Sequence, residues 1–179
     1  LPAIDLGTGR TATQITAGAY HTCAILDDAT TKCWGYNGSG QLGQGDWEYR
    51  GDGPNEMGDN LAAIDLGTGR TATQIAVDTY HTCALLDNAT TKCWGDSSDG
   101  QLGQGDTIRR GDGANEMGDN LPAIDLGTGR TATQITAGAY HTCAILDNAT
   151  TKCWGRNYHG QLGYGGVMFD SLADTVDLL

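Results

Sequence analysis

The chain has 179 residues, of which 28 are Gly and only 3 Pro, and its formal net charge is −12. Ten basic residues against 22 acidic ones leave no Lys/Arg face for a phosphate backbone, which excludes an electrostatic nucleic-acid binder. No run of 18 apolar residues is present, so no helical membrane span is expected; Leu1 to Leu6 is not a signal peptide, and any targeting segment has been removed or lies outside this fragment.

Along the chain, Asp5 sits before Gly7 in a turn and reads as a turn cap, as do Asp65 and Asp125. Thr11-Ala12-Thr13-Gln14-Ile15 alternates small or apolar with polar residues, which predicts a half-buried strand. Tyr20-His21-Thr22-Cys23-Ala24-Ile25-Leu26 is the most apolar run, with the length of a strand rather than a helix. Asp27-Asp28-Ala29 is a turn signal, and Thr30-Thr31-Lys32-Cys33-Trp34 is a second strand rich in β-branched and aromatic residues. Gly35, Gly38, Gly40, Gly43 and Gly45 punctuate the rest of the unit. Up to four short strands per unit are expected, and no amphipathic helix.

The unit then repeats. Leu1 to Arg10 returns as Leu61 to Arg70 and again as Leu121 to Arg130, a period of 60 residues. Residues 1–60 and 61–120 differ at 15 positions, clustered at Thr16 to Ala19, Tyr36 to Ser39 and Trp47 to Tyr49. Those are the positions expected at turns or on a rim, where side chains vary without damage to a core. The third copy departs after Gly163, and aligning Val176 with Ile124 makes it 52 residues long. The 60-residue copies therefore carry an eight-residue insertion near Arg50 to Met57. The limits are 1–60, 61–120 and 121–172, with 173–179 as the start of a fourth repeat.

Six cysteines allow 15 pairings, and the hairpin selects one. With Asp27-Asp28-Ala29 as its loop, Leu26 faces Thr30, and stepping outward Cys23 faces Cys33. The expected disulfides are Cys23–Cys33, Cys83–Cys93 and Cys143–Cys153. A pair in every repeat points to an oxidising compartment, outside the cell or on its surface. The competing readings are free thiols in a cytosolic protein and a zinc site, and the spacing does not suit zinc.

Tyr20-His21-Thr22-Cys23-Ala24-Ile25-Leu26, then Cys33-Trp34-Gly35-Tyr36-Asn37, then Gly40-Gln41-Leu42-Gly43, resembles the regulator of chromosome condensation repeat family. All three copies fit, over essentially the whole chain, although Asp96-Ser97-Ser98-Asp99 and the insertion depart from the pattern. The resemblance implies an all-β fold of propeller blades, typically seven around a channel. The chain is then about three blades of a larger propeller, completed by further blades of the same chain or by other subunits.

Candidate sites fall in the loops. Asp52, Asn55, Glu56 and Asp59, with Asp112, Asn115, Glu116 and Asp119, make an oxygen-rich set that suits calcium; no other cofactor is expected. Arg50-Gly51-Asp52 also spells an adhesion tripeptide. Asn88 and Asn148 begin glycosylation sequons at the hairpin turn, and Asn37 begins a third in a Gly-rich turn. Trp34, Trp94 and Trp154 are expected to stack on the disulfide and the neighbouring blade. Trp47 has no counterpart in the other copies and is a candidate binding residue. His21, His81 and His141 recur once per repeat; they either ring a channel as metal ligands or each satisfy a hydrogen bond within their own blade. No nucleophile constellation stands out, so the chain is expected not to be an enzyme.

The expectation is an extracellular structural or interaction scaffold, part of a coat or filament, with protein subunits as partners and neither nucleic acid nor a membrane span. The alternatives are a discrete secreted binding module, of lectin or inhibitor type, and a GTPase-exchange propeller, as the founding members of the resembled family are.

Overall fold

A computed structural model describes residues 1–165. The expected fourth-repeat start at 173–179, and the close of the third repeat, lie outside them. Three antiparallel sheets follow one another, each of three strands in chain order. They are β1 (Ala12–Ala17), β2 (His21–Leu26) and β3 (Thr31–Gly35); β4 (Ala72–Val77), β5 (His81–Leu86) and β6 (Thr91–Gly95); and β7 (Ala132–Gly138), β8 (His141–Leu146) and β9 (Thr151–Gly155).

The β2–β3 hairpin has the predicted register. Leu26 N–H donates to the Thr30 carbonyl at 2.8 Å and Ala29 N–H to the Leu26 carbonyl at 3.0 Å. Ala29, at φ 65°, closes the three-residue loop in the left-handed region. Cys23 therefore pairs with Cys33, and all three disulfides form across cysteines whose Cα atoms are 4.1 Å apart. Of the four expected strands, three are regular. The fourth is reduced to a single bridge, Gly35 with Arg50 and Gly95 with Arg110, because the glycine-rich chain turns away on either side of it.

The apolar core lies between blades rather than inside them. Cys23, Cys33 and Leu42 of the first repeat cluster with Ile75, Leu86 and Trp94 of the second. Cys83, Cys93 and Leu102 cluster likewise with Ile135 and Leu146 of the third. Burial follows from the neighbour, not from the residue. Ile15 is 60% exposed, whereas its repeat equivalents Ile75 and Ile135 are 4% and 2% exposed, because each of those has a blade in front of it. The extended lead-in of each repeat is part of this core: Leu61, Ile64 and Leu66 are all buried, and Ile64 N–H donates to the Thr31 carbonyl of the preceding blade at 2.8 Å.

The insertion is built into the same contacts. Glu56 Oε2 accepts the amides of Gly51, Asp52 and Gly53 at 2.8–3.1 Å, which curls the loop back on itself. A 3-10 turn at Gly58–Asn60 follows. In the second repeat this loop reaches the first, where Gly45 N–H donates to the Gly111 carbonyl at 3.0 Å. Among the described residues no helix is long and apolar enough to cross a membrane.

Each disulfide closes a short hairpin loop and so constrains the unfolded chain by about 3 kcal/mol. The double substitution Cys83→Ser and Cys93→Ser is expected to lower the unfolding free energy by about that amount in a chemical denaturation series. A loss below about 0.5 kcal/mol would show that the clip adds little to the packing around it.

Candidate functional site: one rim of the array

A polar knot joins each pair of blades beneath this rim. The Gln41 carbonyl accepts Thr82 Oγ1 at 2.8 Å and Trp94 Nε1 at 3.0 Å, both from the next blade. The Gln101 carbonyl accepts Thr142 and Trp154 in the same way. A threonine hydroxyl has one proton, and here the carbonyl takes it. The His21 Nε2–H therefore donates to Thr82 Oγ1 at 2.7 Å, and the His81 Nε2–H to Thr142 Oγ1 at 2.9 Å. The histidine bond thus crosses to the next blade rather than staying within its own, because the strand direction aims the ring at the neighbouring sheet. The other ring nitrogen, Nδ1, is buried in both without a hydrogen-bond partner, as suits a neutral imidazole. Burial pushes the pKa of His21 down to about 4 and that of His81 to about 3.

Three features of the knot escaped the sequence reading. The Gln74 side chain grips the next inner strand through both the amide and the carbonyl of Ile135, at 3.0 and 2.9 Å. The buried Lys92 ammonium donates to the Leu66 and Gly118 carbonyls at 3.0 and 2.8 Å, and burial lowers its pKa. Lys32 donates likewise to the Leu6 and Gly58 carbonyls at 3.0 and 2.7 Å. The only sequence signal was a lone charge recurring inside a strand that otherwise carries none.

Above the knot lies a cluster of tyrosines, in which Tyr20, Tyr36 and Tyr80 all touch one another. Tyr20 follows the β1–β2 turn and Tyr36 follows β3, with ring centroids 5.9 Å apart. Tyr49 packs on Tyr36 at 4.9 Å, Tyr80 on Tyr20 at 5.8 Å, and Tyr140 on Tyr80 at 6.0 Å. The Arg156 guanidinium lies over Tyr140 at 4.5 Å and over Tyr158 at 4.6 Å, while Arg109 lies over Trp47 at 5.7 Å. Partial desolvation holds the Tyr49 and Tyr80 hydroxyls above their ordinary pKa, with neighbouring tyrosines and the charges of Asp52 and Asp96 adding to it. The β1–β2 turn is tight against its neighbour: a Cβ at Gly18 would meet the Asp78 carbonyl oxygen at 2.1 Å. Of the variable clusters of the repeat, 36–39 and 47–49 supply Tyr36, Trp47 and Tyr49 to this rim, whereas 16–19 begins in β1, where the second-repeat equivalents Ala76 and Val77 belong to the core between blades.

The predicted sites divide sharply. Trp47 is on the rim and 51% exposed, its ring met by Arg109. Asn88 and Asn148 are exposed at the hairpin turn, where Oδ1 accepts the Thr90 and Thr150 hydroxyls at 2.7 Å. Asn37 is fully buried, donating through Nδ2 to the Asp46 carbonyl at 2.8 Å and accepting the Leu42 amide at 3.0 Å. A glycan at Asn37 is incompatible with this fold, because its amide holds the loop together. The acidic loop is likewise committed to its own backbone. Asp59 accepts the Thr8 amide and hydroxyl at 2.9 and 2.6 Å, Asp119 does the same with Thr68, and Glu116 caps Gly111 and Gly113 as Glu56 caps its own loop. Asn55 and Asn115 adopt positive φ to make the turn. Among the described residues no group of three or more His, Cys, Asp or Glu is placed to hold a metal ion. The adhesion tripeptide is also engaged, since Arg50 pairs with Asp46 at 2.7 Å. Asp5, Asp65 and Asp125 cap the Gly7, Gly67 and Gly127 amides at 2.8–2.9 Å, as the turn reading requires.

Radially stacked antiparallel sheets whose core forms only between neighbours are β-propeller blades. The regulator of chromosome condensation (RCC1) repeat pattern matches residues 12–41, 73–101 and 132–161, and a second form of it matches 93–145. The chain belongs to that family, in a variant that carries a disulfide in each repeat. It is 30% identical over 168 residues to the mitochondrial RCC1 domain-containing protein RUG3 of Arabidopsis thaliana, covering 92% of this chain and 35% of that one. It is 32% identical over 152 residues to the ultraviolet-B receptor UVR8 of the same plant, covering 84% and 31%. Among solved structures, yeast RCC1 (Prp20) bound to Kap60 superposes with a TM-score of 0.66 at 20% identity, over 93% of this chain and 38% of that one. The ectodomain of the Physcomitrella patens receptor kinase CR4 gives 0.50 at 25% identity, over 83% and 31%. The chain spans about a third of the length of these relatives.

The buried histidines set a pH dependence. Their folded pKa values lie below the unfolded value of 6.5, so unfolding takes up a proton at each ring. Stability from this source is complete above pH 6.5 and falls as pH drops toward 4, by up to about 1.4 kcal/mol per pH unit for each histidine. The thermal midpoint is expected to fall from pH 7 to pH 4.5, and the double substitution His21→Gln and His81→Gln to flatten that slope. An unchanged slope would place the titration elsewhere.

Proposed function

We propose that the chain is an extracellular propeller scaffold that binds a protein partner through this tyrosine-bearing rim. One observation carries the reading. Near-identical repeats differ mainly at 16–19, 36–39 and 47–49, and two of those clusters bring the exposed Trp47 and Tyr49 and the ring of Tyr36 beside the repeated Tyr20 and Tyr80 on one rim. The paired cysteines, the exposed sequons at Asn88 and Asn148, and the likeness to a receptor-kinase ectodomain support the compartment. Fold likeness to RCC1 supports the scaffold, since propellers present loops from a rigid frame.

A second reading concerns assembly. Ile15 on the first blade and Ile145 on the third are 60% and 39% exposed, where their repeat equivalents are buried by a neighbour. A further blade of a longer chain, or a second copy stacked head to tail, covers these faces in a coat or filament.

The repeats supply a foldable test. Replacing residues 36–39 and 47–49 with the second-repeat residues Asp96-Ser97-Ser98-Asp99 and Thr107-Ile108-Arg109 keeps a loop the chain already tolerates. Partner capture from extracellular fluid is expected to fall at least about tenfold, a loss of about 1.4 kcal/mol, with the thermal midpoint unchanged. Full capture by the exchanged chain would remove the rim from the function. Expressed through a secretory pathway, Asn88 and Asn148 are expected to carry glycans by mass spectrometry and Asn37 none. Reduced thiols in secreted material would overturn the compartment.

A further inference from the structure

The two clefts between blades are built from the same positions but not from the same residues. Arg10, Asp28 and Ala62 line the cleft that joins the first blade to the second. Arg70, Asn88 and Pro122 line the one that joins the second to the third, with the buried Leu86 and Leu121 behind them. This second cleft has a volume of about 330 Å³, within the roughly 300–1,000 Å³ of small-molecule sites. Ala62 stands where the other copies have Pro2 and Pro122, and Asp28 stands where they have Asn88 and Asn148. The cleft without a sequon therefore also lacks the proline, and the cleft with the sequon has it.

The hydrogen bonds at the turn divide in the same way. Asp28 Oδ1 accepts the Thr30 amide and hydroxyl at 3.0 and 2.7 Å, and Arg10 takes Oδ2 at 3.0 Å. Asn88 Oδ1 accepts the Thr90 amide and hydroxyl at 3.2 and 2.7 Å, which leaves Nδ2 in the place of Asp28 Oδ2. An arginine cannot donate to an amide nitrogen, and Arg70 pairs instead with Asp87 at 3.3 Å. Nδ2 of Asn88 has no hydrogen-bond partner among the described residues, so a bond from it to a sugar breaks nothing in the turn. Arg70 keeps further N–H donors on the wall of the same cleft. Pro122 is held facing it, since its carbonyl accepts Gln104 Nε2 at 3.1 Å.

We propose that the cleft between the second and third blades seats the first N-acetylglucosamine of a glycan on Asn88. The C–H face of the sugar lies on the Pro122 ring, and its acetamide and hydroxyl oxygens accept from Arg70. The proposal rests on the glycosylation expected of a secreted chain and gives that glycan a structural role. Ring against ring removes apolar area from water on both sides, where Ala62 offers a single methyl. Asn88 belongs to the second repeat and Pro122 to the third, so the sugar ties together a junction that no disulfide crosses.

The experiment uses the full chain with Asn148→Gln throughout, which leaves Asn88 as the one exposed sequon. Each chain is made twice, secreted from a eukaryotic cell with its glycan and from a bacterial periplasm without it. Glycopeptide mass spectrometry reports occupancy, and the thermal midpoint is the readout. The glycan is expected to raise the midpoint by about 2–4 °C. In Pro122→Ala that gain is expected to fall by at least half. Proline restricts the unfolded chain on its own account, so the comparison is of the gain and not of the single effect. Trimming the glycan to its first sugar is expected to keep the gain, and that sugar to show nuclear Overhauser contacts to the Pro122 ring. An equal gain with proline and alanine, or no such contacts, overturns the proposal. Loss of the gain on trimming overturns the assignment to the first sugar. An unglycosylated Asn88 in secreted material overturns the glycosylation reading and this proposal together. An occupied Asn88 whose glycan is indifferent to Pro122 overturns this proposal alone.

Discussion

One carbonyl organises each junction. Gln41 O sits between two blades and is met at once by a hydroxyl and an indole from the next, with a histidine donating behind the hydroxyl. A β-sheet of three short strands cannot bury both faces alone. Its stability comes from the neighbour, and the neighbour's angle must be set by something directional. Apolar packing of Leu42 against Trp94 supplies free energy but tolerates rotation; two charge-neutral hydrogen bonds on one oxygen do not. A Cβ at Gly43 would lie 2.8 Å from Trp94 Nε1, so the loop that presents this carbonyl stays glycine.

The disulfide serves the same end from within the blade. It clips the two strands that carry the threonine and the tryptophan of the knot, as Cys83–Cys93 does for Thr82 and Trp94, so these two donors hold their relative positions before any neighbour arrives. Lys92 and Glu116 then tie down the irregular chain outside the sheet, one through carbonyls and the other through amides. With strands, lead-in and insertion committed to internal bonds, the surface free to diversify is what remains at the β1–β2 turn and the loop after β3. Variation between copies is concentrated there, at 11 of the 15 differing positions, and the core exchange Ile25 for Leu85 keeps side-chain volume. That concentration is the physical link between the repeat and the binding role proposed for the rim.

Much of the fold was legible in the sequence because its rules are local. Strand periodicity, the Asp-Asp-Ala turn and the step of two along opposed strands lead directly to Cys23 opposite Cys33, with no tertiary information. The exposed sequons and the turn-capping aspartates come from the same short-range logic. The expected fourth strand shrank to one bridge because a chain with glycine at every second or third position makes turns as readily as it pairs.

What only the tertiary structure decided concerns direction and neighbours. Asn37 reads as a surface sequon, yet its amide closes a buried loop. Of the carboxylates chosen for calcium, Glu56, Glu116, Asp59 and Asp119 point at backbone amides and threonines, since a loop with few other acceptors uses them to satisfy its own N–H groups. His21 bonds across a junction 61 residues long in sequence. The tyrosine cluster joins Tyr20, Tyr36 and Tyr49 of one repeat to Tyr80 and Tyr140 of the next two, which only the stacking of blades makes adjacent. Composition and periodicity determine the blade by themselves, because a hairpin is specified by residues within reach of one another. The rim and the knots depend on how one blade lies on the next, and no short stretch of sequence contains that angle.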